Sequence, residues 1–214
     1  MKRVLLFASI AIIFASCSSE PKFELEMNIH NNKSLQNKKL IINQSIDGSV
    51  VYSDTIKIGK DQFVLKIPYK GPALINVSIP ESNVKDIMMV AEKGTIMLNI
   101  DGIIPHLSGT PINDRLQVFY LENDSVSLLF KQLEDEYELQ YRANPQSIQI
   151  REDFRANRSQ LLKENTNRII AFIEENVDNP IGEYYFMNNY ITFPPERQLE
   201  LLGFATDKLK NMIR

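Results

Sequence analysis

The segment Ala91–Asp114, AEKGTIMLNIDGIIPHLSGTPIND, decides the fold because the hydrophobic pattern of the chain changes within it. Before this segment, apolar residues alternate with polar ones, as in half-buried strands. After it, they recur at threes and fours, as in amphipathic helices. Gly94 predicts a tight turn, because glycine tolerates the positive φ that other residues resist. Thr110-Pro111 predicts a helix start, with the threonine hydroxyl at the N-cap and proline in the first turn.

The part of the chain before residue 110 contains about eight short alternating segments that are separated by turn-forming residues. In the first of them, Phe23, Leu25 and Met27 alternate with acidic residues. Asp47-Gly48 is a strong signal for a two-residue hairpin turn. Parallel neighbours would need long crossover connections, usually helical, for which the segments leave no room. We therefore predict an antiparallel β-sandwich or open barrel of about eight strands over residues 23–109.

Proline marks four helix starts in the remainder of the chain, residues 110–214. They are Thr110-Pro111, Asn144-Pro145, Asn179-Pro180 and Phe193-Pro194-Pro195. Proline suits this place because the N–H groups of a first helical turn have no partner within the helix. The first two helices, predicted at residues 111–142 and 145–177, are long, and their short connection favours an antiparallel pair. The predicted fold class is therefore α+β, with an all-helical C-terminal half.

The N-terminal segment has the pattern of a bacterial lipoprotein signal. Lys2-Arg3 precedes the apolar stretch Val4–Ala15, which is too short to span a membrane and has the length of a signal peptide. Two small residues stand before Cys17, as in a lipobox. We therefore predict a signal peptide at residues 1–16, lipid on Cys17 and a tether at residues 17–22. Two or more acyl chains would anchor the protein stably in the membrane.

Two stretches of the chain resemble a known family. Glu92–Ile96 and Leu107–Asp114 are together similar to the end of a β domain of unknown function, which the strand-rich part from Phe23 onwards also fits. That domain is found at the N-terminus of envelope lipoproteins of the thioredoxin-like thiol–disulfide interchange family. Glu174–Phe186 is similar to the helical connector that follows the domain in those proteins. The resemblance implies a bacterial envelope setting, and Ser18 after the lipidated residue favours the outer membrane, in either leaflet.

Cysteine usage separates this chain from the chemistry of that family. Dithiol exchange needs an attacking and a resolving thiol, usually as Cys-x-x-Cys. Cys17 is the only cysteine of the chain, and lipidation would consume its thiol. We therefore expect a family-like scaffold that cannot itself run a dithiol cycle.

Four aromatic residues close together form the candidate binding surface of the helical half. They are Tyr184, Tyr185, Phe186 and Tyr190. One interpretation is a platform for a ligand or a partner protein. The other is a short buried helix whose aromatic side chains cap the long helix pair.

No combination of residues points to catalysis, to a metal or to another cofactor. His30 and His106 are the only histidines, and neither has further ligands at metal-binding spacing. Neighbouring carboxylates such as Glu134-Asp135-Glu136 point about 100° apart on a helix and do not converge as general acid–base groups must. With a net charge of -3, nothing favours nucleic acid as a partner.

These observations favour a non-catalytic, lipid-anchored envelope lipoprotein that binds or positions another protein. Two alternatives remain open. The protein could bind a small molecule or glycan against its sheet or its aromatic residues. It could also assist thiol–disulfide exchange in trans, beside a separate thioredoxin-like protein.

The predicted anchor is tested by Cys17→Ser. Since the sulfur carries the first lipid, we expect this variant to lose all incorporation of labelled palmitate and to leave the membrane fraction. Retention of label by the variant would contradict the lipobox interpretation.

Overall fold

The structure is a computed structural model, and it describes residues 22–29 and 32–213. The predicted signal peptide, the predicted lipidation site Cys17 and the tether up to residue 21 lie outside the described residues, as does His30. The described residues thus cover the β half from Lys22, apart from residues 30 and 31, and the helical half to residue 213.

In this described part of the chain, eight strands form two four-stranded sheets. The strands are β1 (Lys22–Asn28), β2 (Lys39–Ile46), β3 (Ser49–Lys57), β4 (Gln62–Pro68), β5 (Leu74–Ser78), β6 (Ile87–Val90), β7 (Thr95–Asn99) and β8 (His106–Ser108). The first sheet has the order β4-β1-β7-β8, and the second has the order β3-β2-β5-β6. The Asp47-Gly48 turn joins β2 and β3, with both residues at positive φ (49° and 75°), as a tight hairpin turn requires.

The core lies between the two sheets, because alternate side chains of most strands are buried, while those of β3 are only partly buried. In the first sheet Phe23, Leu25 and Met27 are fully buried, and in the second sheet Leu40 and Ile42 are as well. The charged and polar residues between them face outward. This arrangement confirms the predicted α+β class with a sandwich-like N-terminal half.

One strand pair differs from the predicted antiparallel pattern. β1 and β7 are parallel neighbours, with Leu25 opposite Ile96 and Met27 opposite Leu98. This parallel pair needs no crossover helix, because the chain between β1 and β7 passes through the strands of the second sheet and through β4. An excursion of more than sixty residues, from Asn28 to Thr95, therefore provides the long connection.

Five helices follow the strands. They are α1 (Pro111–Ala143), α2 (Ile148–Glu175), α3 (Pro180–Tyr190), α4 (Pro195–Phe204) and α5 (Asp207–Met212). α1 and α2 form the predicted long antiparallel pair. Asn179 caps α3 as predicted, since its side chain accepts hydrogen bonds from the N–H groups of Ile181 and Gly182.

Two predicted helix boundaries are wrong. Asn144-Pro145 does not start the second helix: Asn144 ends α1, and the Ser147 side chain caps α2 by accepting from the N–H of Ile150. The predicted last helix is also divided in two. α4 ends before Ala205, and the Thr206 hydroxyl starts α5 by accepting from the N–H of Leu209.

A buried polar network joins α1 to the second sheet. The Asn113 side chain is fully buried, accepts from the N–H of Val90 at 2.9 Å and donates to the Val90 carbonyl at 2.8 Å. The Thr110 hydroxyl does not cap α1, in contrast to the prediction. Instead the Glu92 carboxylate accepts from the N–H groups of Ile112 and Asn113, so an anion from a neighbouring loop meets the positive end of the helix dipole.

The hydrophobic core continues from the sandwich into the helices. Leu116 and Phe119 of α1 and Phe172 of α2 belong to the same buried cluster as the strand residues. The Phe119 and Phe172 rings stack with centroids 3.8 Å apart, and the Arg168 guanidinium lies 4.6 Å above the Phe119 ring. A second cluster holds the C-terminal helices together through residues such as Phe186 and Leu209. The hydrophobic core is therefore continuous across the change from strands to helices at residues 109–110.

The α1–α2 pair projects beyond the sandwich. α1 starts beside Val90, and thirteen residues after Pro111 its Asp124 reaches Lys85, with 3.2 Å between Oδ1 and Nζ. At 1.5 Å per residue, the remainder of α1 extends about 28 Å further. None of residues 125–167 is buried. We call residues 125–167 the arm.

Replacing Asn113 by alanine tests the network between α1 and the sheet. The variant would leave the buried N–H and C=O of Val90 without partners. Since each orphaned group costs roughly 1–3 kcal/mol, we expect the free energy of unfolding in urea to fall by about 2–4 kcal/mol. Asn157→Ala, at an exposed position of α2, is the control, and its effect should stay within about 0.5 kcal/mol. A loss below 1 kcal/mol for Asn113→Ala would contradict the assigned role.

Candidate functional site

Helix α3 carries the predicted aromatic residues, and a glycine fixes its position. Gly182 lies against the loop that follows α2, and a Cβ atom built on it would stand 1.9 Å from the Asn176 carbonyl oxygen. Only a residue without a side chain allows this approach. The Asn176 side chain is itself buried and donates to the Phe172 carbonyl, so the loop between α2 and α3 is held at both ends.

The four predicted site residues do not share one surface. Phe186 is fully buried and stacks with Tyr190 at 5.5 Å in the second core cluster. Tyr185 packs edge-on against Phe119 and Phe172, with centroids 5.0 and 5.3 Å away. Tyr184 is the one exposed residue of the four, with 37% of its surface accessible. Phe186, Tyr185 and Tyr190 therefore fit the interpretation as packed helix residues, and Tyr184 alone fits the interpretation as a binding platform. The platform remains a prediction.

Tyr184 lines a cleft between the β half and the C-terminal helices. The cleft has a volume of about 360 Å³ and lies between the Asp47-Gly48 turn, the start of β5, α3 and α5. Its apolar lining includes Leu74, Met187 and Met212. This size falls in the range of sites that hold small ligands.

Three charged side chains cross the cleft and connect its walls. Lys208 of α5 donates to both carboxylate oxygens of Glu183 in α3, at 2.6 and 2.7 Å, and to Asp47 Oδ1 at 2.7 Å. The hydrogen bonds to Asp47 and then to Glu183 raise the pKa of Lys208 above its usual value. The group therefore stays an ammonium, with three carboxylate oxygens within hydrogen-bond distance of its Nζ.

Sequence reasoning did not identify this charged trio. Positions 47, 183 and 208 are far apart in the chain, and each is an ordinary charge beside a turn or in a helix. The sequence identified Asp47-Gly48 as a turn, but it did not show that this turn faces α3. Met187 and Met212 were not identifiable as cleft residues either, because apolar residues of amphipathic helices usually belong to the core.

The C-terminal helices leave little apolar surface for a partner. An exposed apolar face on these helices would mark a binding surface for a partner. Leu201 and Leu209 are instead fully buried, mostly against α3. Leu199 and Met212 are the exceptions, with 70% and 46% of their surface exposed.

The arm is the larger exposed apolar surface. Its exposed apolar residues are Leu128 (56%), Leu129 (49%), Leu139 (74%), Tyr141 (37%), Ile148 (65%) and Leu162 (41%). Leu128 and Leu139 are eleven residues apart, close to three helical turns, so they lie on one face of α1. The inner face is occupied by the stack of Tyr137 on Phe154, at 4.2 Å, which holds the two helices together.

Two partly buried tyrosines, Tyr120 and Tyr185, have the most strongly shifted pKa values of the described residues. Burial is the main cause that raises the pKa of Tyr185 to about 12, the charge of Tyr184 adds to the shift, and Arg168 opposes it. Burial likewise raises the pKa of Tyr120, whose hydroxyl donates to the Met88 carbonyl at 2.7 Å. Both groups are therefore protonated at neutral pH, and the Tyr120 hydroxyl is a structural donor at the junction of the sheet and the helices.

Among residues 22–29 and 32–213, no group of three or more His, Cys, Asp or Glu side chains is arranged to hold a metal ion. His106 lies exposed at the start of β8, apart from the cleft. In the same described part of the chain, none of the helices combines the length and apolarity needed to cross a bilayer.

Comparison with known families recognises the β half. Residues 23–116 match the family whose description is Domain of unknown function (DUF4369). The match begins in β1 and ends in the first turns of α1, so it includes the Glu92–Asn113 connection. It confirms the resemblance to a β domain of unknown function for this part of the chain. No curated protein and no solved structure matches the chain.

The raised pKa of Tyr185 predicts a loss of stability at alkaline pH. The folded state keeps this hydroxyl protonated, whereas the unfolded chain releases the proton near pH 10, so the stabilisation is complete below pH 10 and lost as the pH rises toward 12. Two pKa units correspond to at most about 3 kcal/mol. We expect Tyr185→Phe to reduce the fall of the unfolding free energy between pH 10 and pH 12. An unchanged pH dependence would contradict the assignment.

Proposed function

We propose that the protein is a non-catalytic lipoprotein of the bacterial envelope that holds its helical arm away from the membrane for a protein partner. The anchor comes from the sequence prediction for Cys17. The direction of the arm comes from the fold.

The predicted tether is short and enters the β half at a defined end. Five peptide units separate Cys17 from Lys22 and span at most about 18 Å. Lys22 pairs with Pro68, and the five-residue connection from there to β5 keeps the start of that strand at the same end of the sandwich. Glu24 also donates its N–H to the Gly94 carbonyl, so the start of β7 lies there as well.

The arm leaves the sandwich at the opposite end, and this observation carries the proposal. α1 begins beside Val90 at the tether end and passes Lys85 at the other end, where the arm starts. A lipid on Cys17 would therefore place the sandwich at the membrane and the tip of the arm farthest from it. The tip would stand about 28 Å beyond the β half.

The surface of the arm fits a helical protein partner. Its exposed apolar residues lie among charges, with four acidic and two basic residues on the α1 side, and three acidic and four basic residues on the α2 side. Apolar groups framed by charges of both signs are typical of surfaces that pack against another amphipathic helix.

The choice of membrane and any role in thiol–disulfide exchange rest on the sequence alone. The outer membrane follows from Ser18 after the predicted lipidated residue. An accessory role in thiol–disulfide exchange rests on the resemblance to the N-terminal part of thioredoxin-like lipoproteins, and the geometry of the described residues adds no support to it.

A photocrosslinking amino acid on the arm tests the proposal in the envelope. Placed at Leu139, it should give a discrete protein adduct, and Leu128→Glu in the same chain should reduce that adduct at least fivefold, because both side chains lie on one face. The readout is the adduct band and its mass-spectrometric identity.

Two controls have matched exposure outside the arm. The crosslinker at Ile191, where 82% of the surface is exposed, should not give the same adduct, and Leu199→Glu should leave the Leu139 adduct unchanged. Equal adducts from both crosslinker positions would contradict a role of the arm, as would an adduct that is insensitive to Leu128→Glu.

A further inference from the structure

We propose that the cleft beside Tyr184 binds small primary amines that carry an aromatic or branched apolar group. This inference is independent of the arm and of the predicted anchor. It rests on the charge of the cleft, the chemistry of its walls and its size.

The charges of the cleft favour a cation. Among its lining residues, two carboxylates, Asp47 and Glu183, stand against one ammonium, Lys208, so the trio has a net charge of -1. Three carboxylate oxygens already lie 2.6–2.7 Å from Nζ of Lys208, so this ammonium is poorly placed to hold a further anionic ligand. Asp47 contacts Lys208 through Oδ1, and 66% of the Asp47 side chain is exposed at the mouth of the cleft. A ligand ammonium can therefore add to Asp47 without displacing Lys208.

The walls favour an apolar group on the same ligand. Tyr184 presents an accessible ring on one side, and Met187 and Met212 present thioether side chains from two different helices. An aromatic ring attracts a nearby cation, and methionine adapts its shape to apolar groups of different form. Leu74 closes the cleft from the sheet.

The size of the cleft and the positions of its carboxylates agree with a small ligand. The volume of about 360 Å³ is near the lower limit for ligand sites, so it suits a molecule of one ring with a short chain. The carboxylates lie on the turn and on α3, next to Tyr184, so a ligand with its ring on Tyr184 would bring its ammonium to Asp47.

Phenethylamine and 3-phenylpropanoate are the probes, because they have similar shape and opposite charge. Methyl-labelled methionine allows NMR to follow Met187 and Met212 directly during titration of the full chain at low salt. We expect saturable shifts of both methyl signals with phenethylamine, and an affinity for it at least tenfold higher than for 3-phenylpropanoate. Tyr184→Ala should weaken phenethylamine binding at least fivefold, and Asp47→Asn at least threefold.

Tyr141→Ala is the matched control, since Tyr141 on the arm has the same exposed fraction, 37%, as Tyr184. It should leave phenethylamine binding unchanged. Absence of saturable shifts up to 20 mM probe would overturn the proposal. Equal affinity for the two probes, or binding that survives Tyr184→Ala, would overturn it as well. The methionine spectrum of each variant reports whether it has folded, and Tyr184→Phe, which keeps the ring, should retain binding if Tyr184→Ala does not fold.

Discussion

The direction of the whole helical half depends on the pairing of Asn113 with Val90. β6 is an edge strand, and a buried edge must find hydrogen-bond partners for its N–H and C=O groups. The Asn113 amide supplies one acceptor and one donor to the same residue, as a neighbouring strand would. Because this amide belongs to the first turn of α1, the contact that completes the sheet also sets where the helix begins.

Glu92 makes the same connection from the other side. Its carboxylate meets the N–H groups of Ile112 and Asn113, so the loop before β7 satisfies the start of the helix that follows β8. Just before the helix, Gly109 passes close to the start of β7: its φ is +105°, and a Cβ atom on it would stand 2.4 Å from the Thr95 carbonyl oxygen. Once its start is held in this way, α1 passes along the sheet and leaves it at the end opposite to Lys22. The proposed separation between anchor and arm follows from that path.

The cleft and the arm place different demands on the fold. The arm depends only on the packing of α1 against α2 where the arm begins. There Phe119 stacks on Phe172, and the Arg168 guanidinium lies above the Phe119 ring. The cleft needs α3 and α5 close to the Asp47-Gly48 turn, and this depends on the approach of Gly182 to Asn176 and on the bridge through Lys208. A change in one site can therefore leave the other intact.

Local signals in the sequence determined the element types and several turns. Alternation predicted the strands, Asp47-Gly48 predicted a hairpin, and Asn179-Pro180 predicted the start of α3, because each of these depends on neighbouring residues only. The predicted lipid anchor at Cys17 likewise rests on local sequence. The errors at Asn144 and Ala205 concern boundaries, where several residues competed for the cap.

Only the tertiary structure decided which distant residues meet. The parallel pairing of β1 with β7, the cap on α1 from Glu92 and the trio of Asp47, Glu183 and Lys208 join residues that are twenty to more than a hundred positions apart. Such contacts have no periodicity or spacing in the chain, since they arise where two packed elements happen to face each other. The four aromatic residues of α3 are close together in the sequence. The packing of α3 decided that Tyr184 lines the cleft, whereas Tyr185, Phe186 and Tyr190 pack into the core.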